Sequence, residues 1–186
     1  MLGRARKLVS SRAGVVKLKI GEMEQRNWRL RLFQKAKLRL YRTLKSDLKI
    51  EEYLFAIPDQ KYRRELTKLR SGTHDLRLET GRWSGEIEAE RECCICGTGV
   101  VEDERHVLLE CWPYEKWRIK MFQSIRNLTG DKYRVGLMRD DPDRLIQVLL
   151  GDGISDRGFR RVVAMAVSRF LRKVMAFRSK WLRTKV

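Results

Sequence analysis

The stretch CCICGTGVVEDERHVLLEC, residues 93–111, decides how this chain is read. Cys93, Cys96, His106 and Cys111 form a Cys-x2-Cys-x9-His-x4-Cys array, three thiols and one imidazole in a short span. Zinc has no ligand-field preference and favours a closed tetrahedron of thiolate and imidazole, with Zn–S near ~2.3 Å. With four protein ligands no position is left open for a reacting water, so the array predicts a structural knuckle holding Zn2+ and no catalytic residue. Thiolates bind metal only when deprotonated, and a short free loop loses much entropy on ordering. Metal and local fold are therefore expected to be coupled, with residues 90 to 115 ordered only around the ion. Cys94 reads as a free or packing thiol, because Cys94-x-Cys96 would be a tighter bite than Cys93-x2-Cys96.

Directly before His106 stands Val101-Glu102-Asp103-Glu104-Arg105. Two readings stay open for it. One of its carboxylates could accept the free imidazole N–H and orient the ring, or the run could be a solvated turn.

Composition bounds the partners. At 186 residues the chain can bury one moderate core. Its 42 Lys plus Arg against 24 Asp plus Glu leave a formal charge of +18, more than solubility requires. A polyanion is implied, with nucleic acid first and an anionic membrane surface second. No apolar run is long enough for a secretory signal or a bilayer span. The start, MLGRARKLVSSRAGVVKLKI, reads as a solvated basic arm in preference to a transit peptide. The expectation is an intracellular protein, nuclear and/or cytoplasmic, without a membrane partner. In a reducing compartment, closely spaced cysteines with a histidine mean metal before disulfide.

Charge also divides the chain. Residues 1–72 carry 20 basic and 7 acidic groups (+13), 73–118 carry 6 and 11 (−5), and 119–186 carry 16 and 6 (+10). The expected organisation is a basic arm (1–22), a basic helical segment (23–72), a zinc knuckle module (73–118) and a C-terminal helical segment (119–186). The fold class is mainly α, a helical domain with a small zinc-stabilised knuckle. From Met23 to about Lys49 the residues Trp28, Leu32, Phe33, Ala36, Leu40 and Leu44 recur at near-helical spacing and predict one amphipathic helix. Pro58-Asp59 opens a second over 60–70, closed by Gly72. Pro113 starts a third that ends at Thr129-Gly130, Asp141-Pro142 a fourth that ends at Gly151, and residues 156–183 make a long last helix. Strands are limited to a short hairpin around the metal, from pieces near 86–95 and 99–101.

Other motifs favour plain structural roles. Asp140, Asp141 and Asp143 sit where a helix N-terminus wants a cap, and His74-Asp75 reads as a turn pair after Gly72. Neither has the companions that catalysis needs, and no phosphate-cradling glycine loop or hydrolase elbow occurs. Basic residues beside aromatics, at Arg82-Trp83, Trp117-Arg118 and Lys180-Trp181, suit phosphate neutralisation with base stacking, although each tryptophan alone reads as core. The candidate nucleic-acid contacts are Arg63, Arg64, Lys68, Arg70, Arg82, Trp83, Arg172 and Lys173.

Three stretches then carry a resemblance: WRLRLFQKAKLRLYRTLKSDLKIEEYL (28–54), KYRRELTKLRSGTHDLRLETGRW (61–83) and RECCICGTGVVEDERHVLLECWPYEKWR (91–118). Together they resemble the segment that follows the reverse transcriptase in polyproteins of LINE-type non-LTR retrotransposons. The specific elements are Lys37-Leu38-Arg39 with Tyr41, Glu52-Tyr53-Leu54, Leu69-Arg70 with Gly72, Glu79-x-Gly81-Arg82, and the metal array with its acidic run. By resemblance, Cys93, Cys96, His106 and Cys111 are zinc ligands in a domain that engages template RNA or target DNA. A reverse transcriptase or another protein subunit is the further partner it suggests. Polymerase aspartates do not carry over, since Asp140-Asp141 between Arg139 and Pro142 lacks an apolar hairpin. The x9 interval is longer than in a retroviral knuckle, so that mode of base recognition does not carry over either.

The sequence thus predicts a non-catalytic, zinc-dependent nucleic-acid-binding module with RNA favoured over DNA. The alternative is a protein-interaction adaptor derived from such an element, its long helices docking on a partner. A metal-dependent nuclease using His74 or the acidic cluster is a distant third.

Overall fold

The computed structural model describes residues 2–130, 140–151 and 156–185, with side chains from residue 12 onward. Among these residues the helices are α1 (Leu2–Phe33), α2 (Arg39–Leu44), α3 (Tyr53–Ala56), α4 (Gln60–Arg70), α5 (Arg77–Trp83), α6 (Glu115–Thr129), α7 (Pro142–Leu149) and α8 (Arg157–Arg183). The fold is mainly helical, as the periodicity predicts. In place of the expected hairpin, a single antiparallel bridge joins Glu92 and Val101.

α8 is the spine. Phe159, Val163, Val167, Phe170 and Val174 recur every three or four residues and are all buried, an apolar stripe of helical period. α3, α4, α6 and α7 pack against it, and one hydrophobic cluster runs from Leu44 through the knuckle residues Cys93, Val107 and Cys111 to Val174. Tyr114, Trp117 and Phe177 lock α6 to α8 through tilted and edge-on ring contacts, with centroids 5.3–6.2 Å apart. Aspartates start three of the helices. Asp59 accepts from the Lys61 N–H, Asp141 from Arg144 and Asp156 from Phe159, caps worth about 1 kcal/mol each. The acidic pair before Pro142 is thus a helix start, as expected.

The N-terminal half departs from expectation in two ways. Residues 2–22 of the basic arm are helical and continuous with the residues after them, so α1 spans 32 residues. The helix expected from Met23 to Lys49 is also broken. After Phe33 the chain turns extended at Lys35 (φ −108°, ψ 100°) and restarts as α2. The turn packs against a residue far along the chain, Gly72. Gly72 has φ +60°, and a Cβ there would stand 2.0 Å from the Lys37 carbonyl oxygen. The turn between α1 and α2 therefore seats its backbone directly on the backbone that closes α4.

Gly72→Ala should accordingly cost about 1–3 kcal/mol or more, from the left-handed conformation and the forced separation together. Chemical denaturation of the variant checks this. Wild-type stability would mean that the two turns do not touch in solution.

Candidate metal centre

Two local structures bring the four ligands together. The first follows the Glu92–Val101 bridge. There the Cys93 N–H donates to the Val100 carbonyl at 2.8 Å and the Gly97 N–H to the Cys93 carbonyl at 3.2 Å, closing a turn that carries Cys93 and Cys96. Gly97 adopts φ +65° at its end, a conformation glycine reaches without steric cost. The second is a single wide turn over His106–Glu110, closed by the Cys111 N–H donating to the His106 carbonyl at 2.8 Å. In an ordinary α-helix residues five apart point about 140° away from each other. The i to i+5 bond of this π-type turn lets His106 and Cys111 face the same point.

The ligand atoms of Cys93, Cys96, His106 and Cys111 all lie within 4.8 Å of one another. The Cys93 and Cys111 sulfurs are 4.0 Å apart and the Cys96 sulfur is 3.3 Å from His106 Nε2. A tetrahedron with Zn–S near 2.3 Å and Zn–N near 2.0 Å has edges of roughly 3.5–3.8 Å, so the donor set fits an ion of that size. The four side chains are positioned to hold a metal ion. Their proton chemistry agrees. The hydrogen bond from Cys111 holds the Cys93 thiol far below its ordinary range, against the opposing effect of burial, and His106 adds to it. Cys111 is pushed far up by the same bond and by burial. Burial alone would lower His106, but hydrogen bonds and charge from Cys93 and Cys96 raise it to about 9. Thiolate character and proton sharing are what a cation would replace. Cys94 stays outside the cluster, half-buried, its thiol raised by burial first and by the Glu102 charge second.

The acidic run does neither of the two things that its sequence allowed. No carboxylate from it accepts the His106 ring. The carboxylate that approaches His106 Nδ1 lies outside the run, Glu110 Oε2 at 3.6 Å and four residues on, a spacing that could have been noticed. Asp103 instead accepts the His106 backbone N–H at 2.7 Å. Nor is the run a solvated turn, because Glu102 and Glu104 are 0% and 3% exposed. Glu102 takes a two-pronged pair from Arg178 of α8, both bonds 2.7 Å, and the Arg77 N–H at the start of α5 at 2.8 Å. Glu104 binds His74 Nε2 at 3.1 Å and Arg39 at the start of α2. Burial pushes the Glu104 carboxyl up, yet the His74 bond and the charges of His74 and Arg39 leave it below the ordinary range. His74 follows the Gly72 turn as expected, but its side chain is only 2% exposed and is tied to Glu104.

The cationic candidates divide by location. Arg70 must be withdrawn as a phosphate contact. It is 1% exposed, donates to the Leu150 carbonyl, pairs with Glu51 at 2.8 Å and lies 5.0 Å from the centre of the Tyr53 ring. Arg118, paired with Trp117 in the sequence reading, points inward to the carbonyls of Leu108 and Cys111, each at 2.8 Å, and so braces the ligand turn. Arg63 is half-buried and donates to the Leu54 carbonyl at 2.8 Å. Arg64 and Arg172 approach the same Glu65 oxygen, at 3.5 and 3.7 Å, which places them side by side where α4 meets α8. Lys68, one turn from Arg64, pairs with Asp75 at 3.6 Å, and Lys173 is exposed beside Arg172. On α5, Arg82 pairs with Glu79 at 2.7 Å. Trp83, read as core when taken alone, is 72% exposed, whereas Trp117 and Trp181 pack against the core.

No family model matches the chain, nor does any curated protein or solved structure. No helix among the described residues is long and apolar enough to cross a membrane.

Proposed function

We propose that this chain is a non-catalytic nucleic-acid-binding module built around a structural zinc ion, with RNA favoured over DNA. Zinc is the metal of choice because three thiolates and an imidazole in a closed, largely buried set suit it and leave no open coordination position. The observation that carries the reading is the way cations separate around this centre. Arg70, Arg118 and Arg178 are consumed in holding the scaffold, while Arg64, Lys68, Arg172 and Lys173 on α4 and α8 keep a partial or full solvent face, the first three beside Glu65 or Asp75. Trp83 beside Arg82 offers a stacking platform worth about 1–3 kcal/mol per base. The burial of His74 against Glu104 favours a structural role for the one His-Asp pair that hinted at catalysis. The resemblance of residues 28–118 to the region after the reverse transcriptase in LINE-type polyproteins supports the same reading.

Two measurements test it. Elemental analysis should find one zinc per chain. Reversing the charge of Arg64, Lys68, Arg172 and Lys173 should weaken binding to single-stranded RNA equally across sequences and flatten the salt dependence by about one unit of slope per lost phosphate contact. Unchanged affinity in a salt series would remove α4 and α8 from the interface, and absence of any RNA or DNA binding would end the proposal.

A further inference from the structure

α1 carries a feature that nucleic acid does not explain. Ala13, Val16, Ile20, Met23, Asn27 and Leu30 are spaced 3, 4, 3, 4, 3 and all are exposed. In sequence Leu2 and Val9 continue the spacing, with Arg6 the exception. This is the a/d seam of a heptad, with Asn27 at an a position, where a single asparagine fixes register and strand number in paired helices. At about 100° per residue the seam lies opposite the face that ties α1 to the body. That face carries Gln25 and Arg29, which donate to the Ser46 carbonyl at 3.0 and 2.6 Å, and the buried Leu32. The helix is thus anchored by its back near its C-terminal end and presents its seam outward, with Val16 56%, Met23 63% and Leu30 56% exposed.

The flanks say what covers it. From residue 12 to 31 the e and g positions beside the seam are Arg12, Lys17, Lys19, Glu24, Arg26 and Arg31, five cations and one carboxylate, all exposed. A second copy in parallel register would set Arg12 against Lys17 and Arg26 against Arg31, with only Lys19 and Glu24 matched. A phosphate backbone would satisfy the cations but leave the aliphatic seam in water. We propose that α1 is one half of a two-stranded coiled coil whose other half is a protein helix with an apolar a/d seam, an asparagine opposite Asn27, and Asp or Glu at e and g. This inference stands independently of the nucleic-acid reading.

The test uses the full zinc-loaded chain and a designed four-heptad peptide with Ile at a, Leu at d, one Asn at the matching a position and Glu at every e and g. Glutamate flanks keep the peptide from pairing with itself. Titration should show one-to-one binding with a gain of helical signal. Ile20→Asp with Met23→Asp should weaken it at least about 100-fold, while Leu18→Asp, on the back of the helix, leaves it unchanged. A peptide with the same glutamates but serine at a and d controls for simple charge attraction to a +18 chain. The proposal is overturned if that control binds equally well, if the seam variant binds like wild type, or if sedimentation shows that the chain pairs with itself through the seam. RNA affinity unchanged in the seam variant separates this surface from the phosphate contacts, and RNA binding lost through the seam substitutions also overturns it.

Discussion

Stripping the metal from the full chain with a chelator should melt residues 91–118 and loosen α6 from α8. Apparent zinc-binding energies in finger peptides are roughly 10–16 kcal/mol at neutral pH, comparable with the whole stability of a small domain, about 5–15 kcal/mol. Here the ligands are part of the main core. Cys93 and Cys111 are buried with Val107 and Leu108 in the cluster that α8 completes. Loss of the ion would leave Cys93, Cys111 and His106 mutually repelling or sharing protons in a space with little water. Amide hydrogen exchange should show protection lost first over 91–118, with α4 retaining more of its own. Cys111→Ser should reproduce the effect in zinc-replete buffer. Unchanged protection after chelation would take the metal out of the account of this fold.

Arg178→Met should be the most damaging single change away from the ligands, at about 3–5 kcal/mol, the usual cost of leaving a buried charge without its partner. Glu102 is fully buried and its carboxylate is shared between Arg178 and the Arg77 N–H, with the Cys93 sulfur 3.9 Å away. Removing the guanidinium strands that carboxylate beside a thiolate, so both stability and metal retention should fall. Glu102→Gln should be damaging as well, because it leaves the buried Arg178 guanidinium without its counter-charge and turns an amide N–H toward one of the donors that the carboxylate now accepts. Thermal melts and competition with a chelator of known affinity measure the two effects. If Arg178→Met left both unchanged, the link from the knuckle to α8 would carry no energy.

The four residues positioned to hold a metal ion could be named from the sequence, because thiol and imidazole are chemically distinctive and cluster within a short span. α4, α6, α7 and α8 were legible for a similar reason: apolar residues recur every three or four positions, and Asp59, Pro113 and Asp141-Pro142 mark the starts of the first three. Arginine was where the reading failed. Arg70 and Arg118 were read with the phosphate-facing cations and Arg178 was not singled out at all, yet each points into the protein. A long stem can lie along an apolar surface while the guanidinium reaches a carbonyl or carboxylate. Which arginines do so depends on partners 80 residues away for Arg70, 10 for Arg118 and 76 for Arg178. The acidic run misled for the same reason: Glu102 and Glu104 look like a solvated turn until α8, α2 and His74 close over them.

Sequence alone determined the ligand chemistry, the helical period and the excess of positive charge, since each is a property of residue type and local spacing. The heptad along α1 also belongs to the sequence, but its outward direction does not. Tertiary structure decided where the first long helix breaks, which cations are spent on carboxylates and carbonyls inside, and which face of α1 stays uncovered. These are settled by contacts between residues far apart in the chain, where close backbone approach at Gly72 and the cost of burying an unpaired charge leave few arrangements open.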